Sequence, residues 1–534
     1  MTEIRFGSPT VSRRTVIKGA AATAAVIPMT QILGGEVQAA SKVLRLGTQK
    51  QVKPAAPWTT SDGSLQILSA VGDYLAYQRV DGSLEPRVAT KWKASNGLKT
   101  WTFDLRKGVK FHDGTEVTSA DVVYTFQAHL KETNKSASIG NFKGVIAAVR
   151  AEGAYKVVFD LVAPSGNFPY TVASTSYGAI IIKNGADGGA AWTKTMMSCG
   201  PWIMTSYTET EKTVFKKNPN YWDTDKQASL QYDTLEQIQF LSAAAAVPQL
   251  KTGKIDAIVL LPEDAVKLNK SKFSIDKVGS AAGIHMHMRC DYGPFTDVRV
   301  RKAAALTINR AGYIKGVLKG VGGNIANDSV MDSYPTRDNS VPQREKDLAE
   351  AKKLMAAAGN KGFTVDLSTW YRDDIAKFAQ VVKSSFAEIG ISCNLKVDGS
   401  DGGGSVYYTY VPYPSGKGKG PKYDNNSWLA SNLGITEWAG RGVPDQYLKR
   451  EWRSDGDWSG AYTDNATLDA AIDEYLSAGN PKKQSTASGK IQRASLDYTP
   501  YIIVYNTNIL FVRRSNLKGV SYNGITQIDA TGAA

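Results

Sequence analysis

Between Thr100 and Leu105 the apolar residues Trp101, Phe103 and Leu105 alternate with Thr100, Thr102 and Asp104, a period of two that predicts a strand buried on one face. Turns are predicted at Lys107-Gly108 and Asp113-Gly114. The period then lengthens. Val122, Phe126 and Leu130 fall on one helical stripe, Thr118 stands where an N-cap belongs, and Asp121 follows as its partner in a capping box. Tyr155 to Leu161 alternates again as a strand, and Val43 to Gly47 reads as an earlier one.

The same two periods recur downstream. Two strands flank a turn at Thr208 to Glu211, between Cys199-Gly200-Pro201-Trp202 and Asn218-Pro219-Asn220-Tyr221-Trp222. Ala243 to Thr252 predicts a helix kinked at Pro248 and stopped by Gly253, and the apolar run Ile255 to Pro262 predicts a strand covered on both faces. Gly283 to Arg289 reads as a strand, Gly293-Pro294 as a turn, and Asp297 as the cap of a helix reaching Arg310. Leu348, Ala351, Leu354, Met355 and Ala358 form a helical stripe ending at Gly359, and Phe363, Val365 and Leu367 alternate. A second stripe from Ile375 to Ile389 closes at Gly390, before Ile391, Cys393, Leu395 and Val397 alternate. Strand, helix and strand at this spacing predict a parallel pair in an α/β fold. Gly399 to Gly404 predicts a break, Thr467 to Leu476 a helix, and Tyr501 to Tyr505 a returning strand.

Length and charge narrow the class. A chain of 534 residues forms more than one domain, and 42% apolar with 21% charged residues describes an ordinary globular protein. The net charge of +14 is spread along the chain. One of the denser basic runs, Lys417 to Lys422, lies among glycines and reads as a solvated loop; with no basic face interleaved with aromatics, nucleic-acid binding is not indicated.

Ser12-Arg13-Arg14-Thr15-Val16-Ile17-Lys18, the apolar run Gly19 to Gly35 and the small-residue stretch Val37-Gln38-Ala39-Ala40 fit a twin-arginine export signal over residues 1–39. Pro28 and Gln31 break the run below the roughly 20 apolar residues of a membrane span, and no cysteine stands near the cleavage region to carry a lipid. Removing residues 1–39 takes away four basic and two acidic residues and leaves +12. Cys199, Cys290 and Cys393 are widely spaced and leave one disulfide or three buried thiols open.

Several of these runs carry a resemblance. Gly82-Ser83-Leu84-Glu85-Pro86-Arg87, Trp92, Leu105 to Gly114 and Asp121-Val122-Val123-Tyr124 resemble the signature of the family 5 extracellular solute-binding proteins, the dipeptide, oligopeptide and nickel type of ABC-transporter binding protein. The segments 200–222 and 293–310 are similar to that family's as well. The resemblance implies a two-lobed periplasmic-binding-protein fold of type II with an inserted subdomain. It is expected to run as a first lobe over 40–64, 185–282 and 501–534, the insertion at 65–184 and a second lobe over 283–500, with Gly283 to Arg289 as a crossing between lobes. It also implies a monomeric periplasmic receptor that captures a small molecule or peptide in the interlobe cleft and delivers it to ABC permease subunits, without cofactor, nucleic acid or membrane anchor.

Ligand chemistry centres on Trp428 to Tyr447. Peptide-binding members of the family carry an aspartate three residues after a tryptophan, and with Trp438 and Pro444 aligned that position is Arg441. A guanidinium favours carboxylate or phosphate where the aspartate favours an ammonium, so the ligand is expected to bring an anionic group. Glu437 is the other charge at hand, with pairing between Glu437 and Arg441 the plain alternative. Trp58, Trp370, Tyr371, Trp428 and Trp438 are the expected aromatic walls. His285 and His287, with Cys290, supply metal-ligating atom types but lack a third clear ligand, which leaves a nickel or other metal complex as an alternative cargo. The chain has no H-E-x-x-H, no G-x-S-x-G and no P-loop, so a binding protein is expected rather than an enzyme, with a periplasmic hydrolase as the other class.

Overall fold

The computed structural model describes residues 42–51, 53–59, 64–229, 231–398, 427–523 and 528–529; the export segment, the glycine break at 399–404 and the basic run at 417–422 lie outside the described residues. Strand β1 is Val43–Gln49. A four-stranded antiparallel sheet follows, made of β2 (Ala89–Ser95), β3 (Thr100–Leu105), β4 (Ile146–Ala151) and β5 (Lys156–Leu161) in the order β2-β3-β5-β4. Its inner face carries Trp101, Phe103, Val157 and Phe159, all buried. The helix Ser119–Leu130 packs beneath it with its capping box formed: the Thr118 amide donates to Asp121 Oδ2 at 2.8 Å.

The chain then lays down β6 (Trp202–Thr208), β7 (Lys212–Lys217), β8 (Thr234–Phe240), β9 (Ala257–Leu260), β10 (Phe273–Met288), β11 (Phe363–Trp370), β12 (Ile391–Asp398), β13 (Leu433–Trp438) and β14 (Tyr501–Arg514). These and β1 form one mixed sheet in the order β12-β11-β13-β10-β14-β9-β1-β8-β7-β6, with the short strand Gly323–Ile325 added on β14. Its two halves are held together by β10 and β14, antiparallel to each other. At 16 residues, β10 spans about 50 Å, too long for one ordinary core.

Separate cores form at the two ends of that pair. One end holds Leu44, Leu46, Leu68 and the four-stranded sheet in a continuous cluster, with Leu250, Ile258, Phe273 and Val512 in a smaller one. The other end holds Met286, Leu367, Phe378, Val382, Phe386 and Ile435, and beside them Trp438, Tyr447, Trp452, Ile472 and Tyr501. The second helical stripe read from the sequence is the helix Asp373–Ala387, whose Ile375, Phe378, Val382 and Phe386 are fully buried, each contributing roughly 1.5–3 kcal/mol. It connects β11 to β12, which pair in parallel as expected. The fold is the two-lobed α/β architecture.

Some local expectations change. The helix capped by Asp297 stops at Leu306, and Asn309 caps a second helix, Arg310–Gly316, by accepting from the Gly312 amide at 2.8 Å. The strand expected over 255–262 is confined to Ala257–Leu260, because Pro262 opens a helical turn. The helix Ala243–Thr252 runs through Pro248 and ends on Gly253 at φ +76°, a left-handed geometry that favours glycine. An 18-residue helix, Pro481–Tyr498, has no apolar stripe to announce it, because its buried face includes Ser488, Gln492 and Ser495. All three cysteines are free thiols.

Candidate functional site

Strand direction locates the crevice. β1, β8 and β9 are parallel to one another, whereas β13 runs antiparallel to β10 with β11 and β12 parallel to it. Leu260, at the carboxyl end of β9, pairs with Leu510, which faces Lys277 of β10; Trp438, at the carboxyl end of β13, pairs with Gly283. The carboxyl ends of both parallel sets therefore point toward each other across the stretch from Lys277 to Gly283, about 20 Å of crossing strand. Ligands of open α/β sheets bind outside such ends. The β10–β14 ladder slips register between Gly279 and Gly283 and again before His285, so the crossing is least regular at the crevice.

Trp438 is the hub of the second-lobe wall. Its indole is 6% exposed and lies 6.0 Å from Trp428, 5.5 Å from Tyr447, 5.4 Å from Trp458 and 5.9 Å from the His285 ring, centroid to centroid. Behind it is a buried acid–imidazole pair: His285 Nδ1 lies 2.9 Å from Glu451 Oε1, with the side chains 3% and 2% exposed. Glu451 also accepts from Trp452 Nε1 at 3.1 Å. It sits in a single π-helical turn, Leu448–Trp452, a rare geometry often found at functional sites.

The charges sort themselves differently from the simplest sequence pairing. Glu437 forms its ion pair with Arg372, and Arg372 also holds Asp374 and lies 5.5 Å over Trp370. The two carboxylates hold the guanidinium in its charged form. Arg441 instead donates from Nε to Gln446 Oε1. Among the described residues neither of its Nη atoms makes a hydrogen bond and no carboxylate pairs with it. Nearby, burial pushes the Asp445 carboxyl up while Lys449 and Asn167 oppose the shift.

The insertion meets this segment directly. Gln78 Nε2 donates to the Gly442 carbonyl at 3.2 Å, Tyr177 Oη to the Gly440 carbonyl at 3.4 Å, and Asn167 Nδ2 to Asp445 Oδ1 at 2.7 Å. Gln446 Nε2 donates to Asn141 Oδ1 at 3.2 Å. A second bridge joins the helical turn after β9 to the helix after β11, where Lys377 Nζ meets Glu263 Oε2 at 2.8 Å. The halves are thus in contact at two places around the crevice.

The structure brings Trp370, Trp428, Glu437 and Trp438 together at the second-lobe strand ends, with Arg441 three residues beyond Trp438 and Tyr371, half exposed, after Trp370. Trp58 stands apart: its indole packs on Gly188, its amide donates to the Gly188 carbonyl, and its own carbonyl accepts from Ala137. His287 is held by Ser431, and burial pushes its imidazole down to about 4. Among the described residues no group of three His, Cys, Asp or Glu side chains gathers as a metal site requires. Arg372, Glu451, Gln446, Asn141 and Asn167 gave no sequence signal, because their partners lie far along the chain or carry no motif.

Residues 83–451 match the family model described as bacterial extracellular solute-binding proteins, family 5 middle. The chain is 24% identical over 497 residues to the oligopeptide-binding protein AppA of Bacillus subtilis, covering 87% of this chain and 86% of that protein. It is 29% identical over 326 residues to the periplasmic murein peptide-binding protein MppA of Escherichia coli, covering 55% and 58%. The structure of NikZ from Campylobacter jejuni in complex with Ni(L-His) superposes with a TM-score of 0.71 at 18% identity, over 91% of this chain and 99% of that one.

Proposed function

The chain belongs to the family 5 bacterial extracellular solute-binding proteins, and from that premise we propose that it is the periplasmic receptor of an ABC importer whose cargo is a peptide-like or other small organic solute bearing an anionic group. The observation that carries the reading is Arg441: a guanidinium oriented through Nε, beside the aromatic wall, with both Nη donors unused by any described residue. Such a fork matches a carboxylate bidentately. Glu437, already neutralised by Arg372, offers little to an ammonium group.

In this reading the solute enters between the strand ends, and the lobes close about the irregular stretch of β10 and β14 near Gly279 to Gly283. The aromatic wall takes the apolar part of the solute and Arg441 its charge. The closed form then docks on a membrane permease, and export follows the twin-arginine route. The relatives are binding proteins rather than enzymes, and the solute is released unaltered.

Isothermal titration with trialanine and trialanine amide tests the charge preference, since the two differ only at the carboxylate. The wild-type protein is expected to bind the free acid more tightly, and Arg441→Ala to lose roughly 10- to 100-fold of that affinity, the size of a charge-assisted hydrogen bond. Equal binding of acid and amide by the wild type would remove the anionic group from the proposal. Native mass spectrometry of protein purified from its own periplasm would then identify the solute carried.

A further inference from the structure

Arginine donates hydrogen bonds and accepts none. Its Nε proton therefore fixes Gln446 with the carbonyl toward Arg441 and the amide nitrogen toward Asn141, whose own carbonyl must face Gln446 to accept. The three side chains form a relay of single polarity, from guanidinium to amide to amide, running from the second lobe into the short helix Ile139–Phe142 of the insertion. The relay engages Arg441 through Nε and uses neither Nη atom, and a bidentate anion needs that pair of donors.

We infer that Asn141 and Gln446 are positioning residues that aim Arg441, so that the insertion takes part in ligand selection. This rests on the reading of Arg441 as the anion-binding group. Asn141 belongs to neither strand set whose ends form the crevice, and Gln446 holds Arg441 through Nε alone. The insertion's other contacts with the segment, from Gln78, Tyr177 and Asn167, reach backbone or Asp445 and hold the loop without touching the guanidinium. The Asn141–Gln446 link is thus the path by which docking of the insertion fixes the direction of the guanidinium.

The test compares trialanine with trialanine amide on the full mature protein, in wild type, Asn141→Ala and Asn141→Asp. Asn141→Ala removes the acceptor and is expected to cut the acid-over-amide preference about fivefold, the net worth of one neutral amide–amide hydrogen bond. Asn141→Asp keeps the acceptor and is expected to retain roughly half the preference or more, with the added charge weakly felt through solvent. A merely structural role would weaken both peptides equally, and an unchanged preference in Asn141→Ala would overturn the inference. A ligand-independent readout is solvent exchange of the Arg441 Nε proton by nitrogen-15 NMR, assigned with Arg441→Lys. If neither peptide binds the wild type, the choice of ligand falls while this readout still decides the relay: faster exchange in Asn141→Ala supports it and unchanged exchange overturns it.

Discussion

The His285–Glu451 pair is the part of the wall whose removal has the most calculable consequence. Glu451→Ala leaves His285, 3% exposed, without its carboxylate partner, and leaves Trp452 Nε1 without its acceptor. Breaking a buried pair at one end costs about 3–5 kcal/mol, and a lost neutral hydrogen bond about 1 more. The affected lobe is of the size for which each kcal/mol moves the midpoint by about 2–4 °C, so its transition should fall by roughly 8–24 °C in differential scanning calorimetry. Glu451→Gln preserves shape and an acceptor and should cost about 1–2 kcal/mol. Combining His285→Phe with Glu451→Leu removes the charge with its partner, and the double variant should recover about 2–3 kcal/mol over the sum of the singles. A drop below about 2 °C for Glu451→Ala, or additivity in the cycle, would show that the pair is not the support of Trp438 described above.

Two further outcomes follow from the geometry. Burial holds His112, His129 and His287 near pKa 4 in the folded protein against 6.5 in the unfolded chain, so between those values the unfolded state binds the extra protons and stability falls as pH falls. Asp332, raised by burial to about 6 from 3.8, works the other way, as do Asp256 and Asp445, which burial also raises. The balance of His over Asp332 gives a slope of up to about 3 kcal/mol per pH unit between pH 4 and 6, and a urea midpoint unchanged from pH 7 to pH 5 would refute it. Gly442→Ala places a methyl group on Gln78 Oε1 and Thr175 Cγ2, so the insertion and the second lobe should no longer meet; small-angle scattering should show a larger radius of gyration with little change in melting, and an unaltered radius would refute the contact.

Periodicity made most of the fold legible because it reports burial, and burial is what strands such as Thr100–Leu105 and helices such as Asp373–Ala387 share with their sequence patterns. The helix Pro481–Tyr498 escaped because its buried face is small and polar, satisfied by contacts such as Gln492 Oε1 accepting from the Asp338 amide. The helix expected to reach Arg310 broke early because Asn309 offers a cap that propensity alone does not weigh against continuation. Trp438 and Arg441 stood out as candidates because a motif singles them out, whereas Trp58, expected as an aromatic wall of the cleft, is packed against Gly188.

In the proposed reading, the arrangement of charge around Trp438 lets the single residue Arg441 set what the crevice favours. An acid at position 437 would compete for Arg441 if both were free, but Arg372 takes Glu437 and leaves Arg441 to an uncharged partner, Gln446. A neutral amide orients a guanidinium without cancelling its charge, whereas a carboxylate there would satisfy it internally and remove the reason for an anion to bind. In the proposed reading, the preference for an anion depends on keeping the two ion systems separate, with Arg372, Asp374 and Glu437 closed on themselves beside Trp370 and Arg441 held by the neutral Gln446.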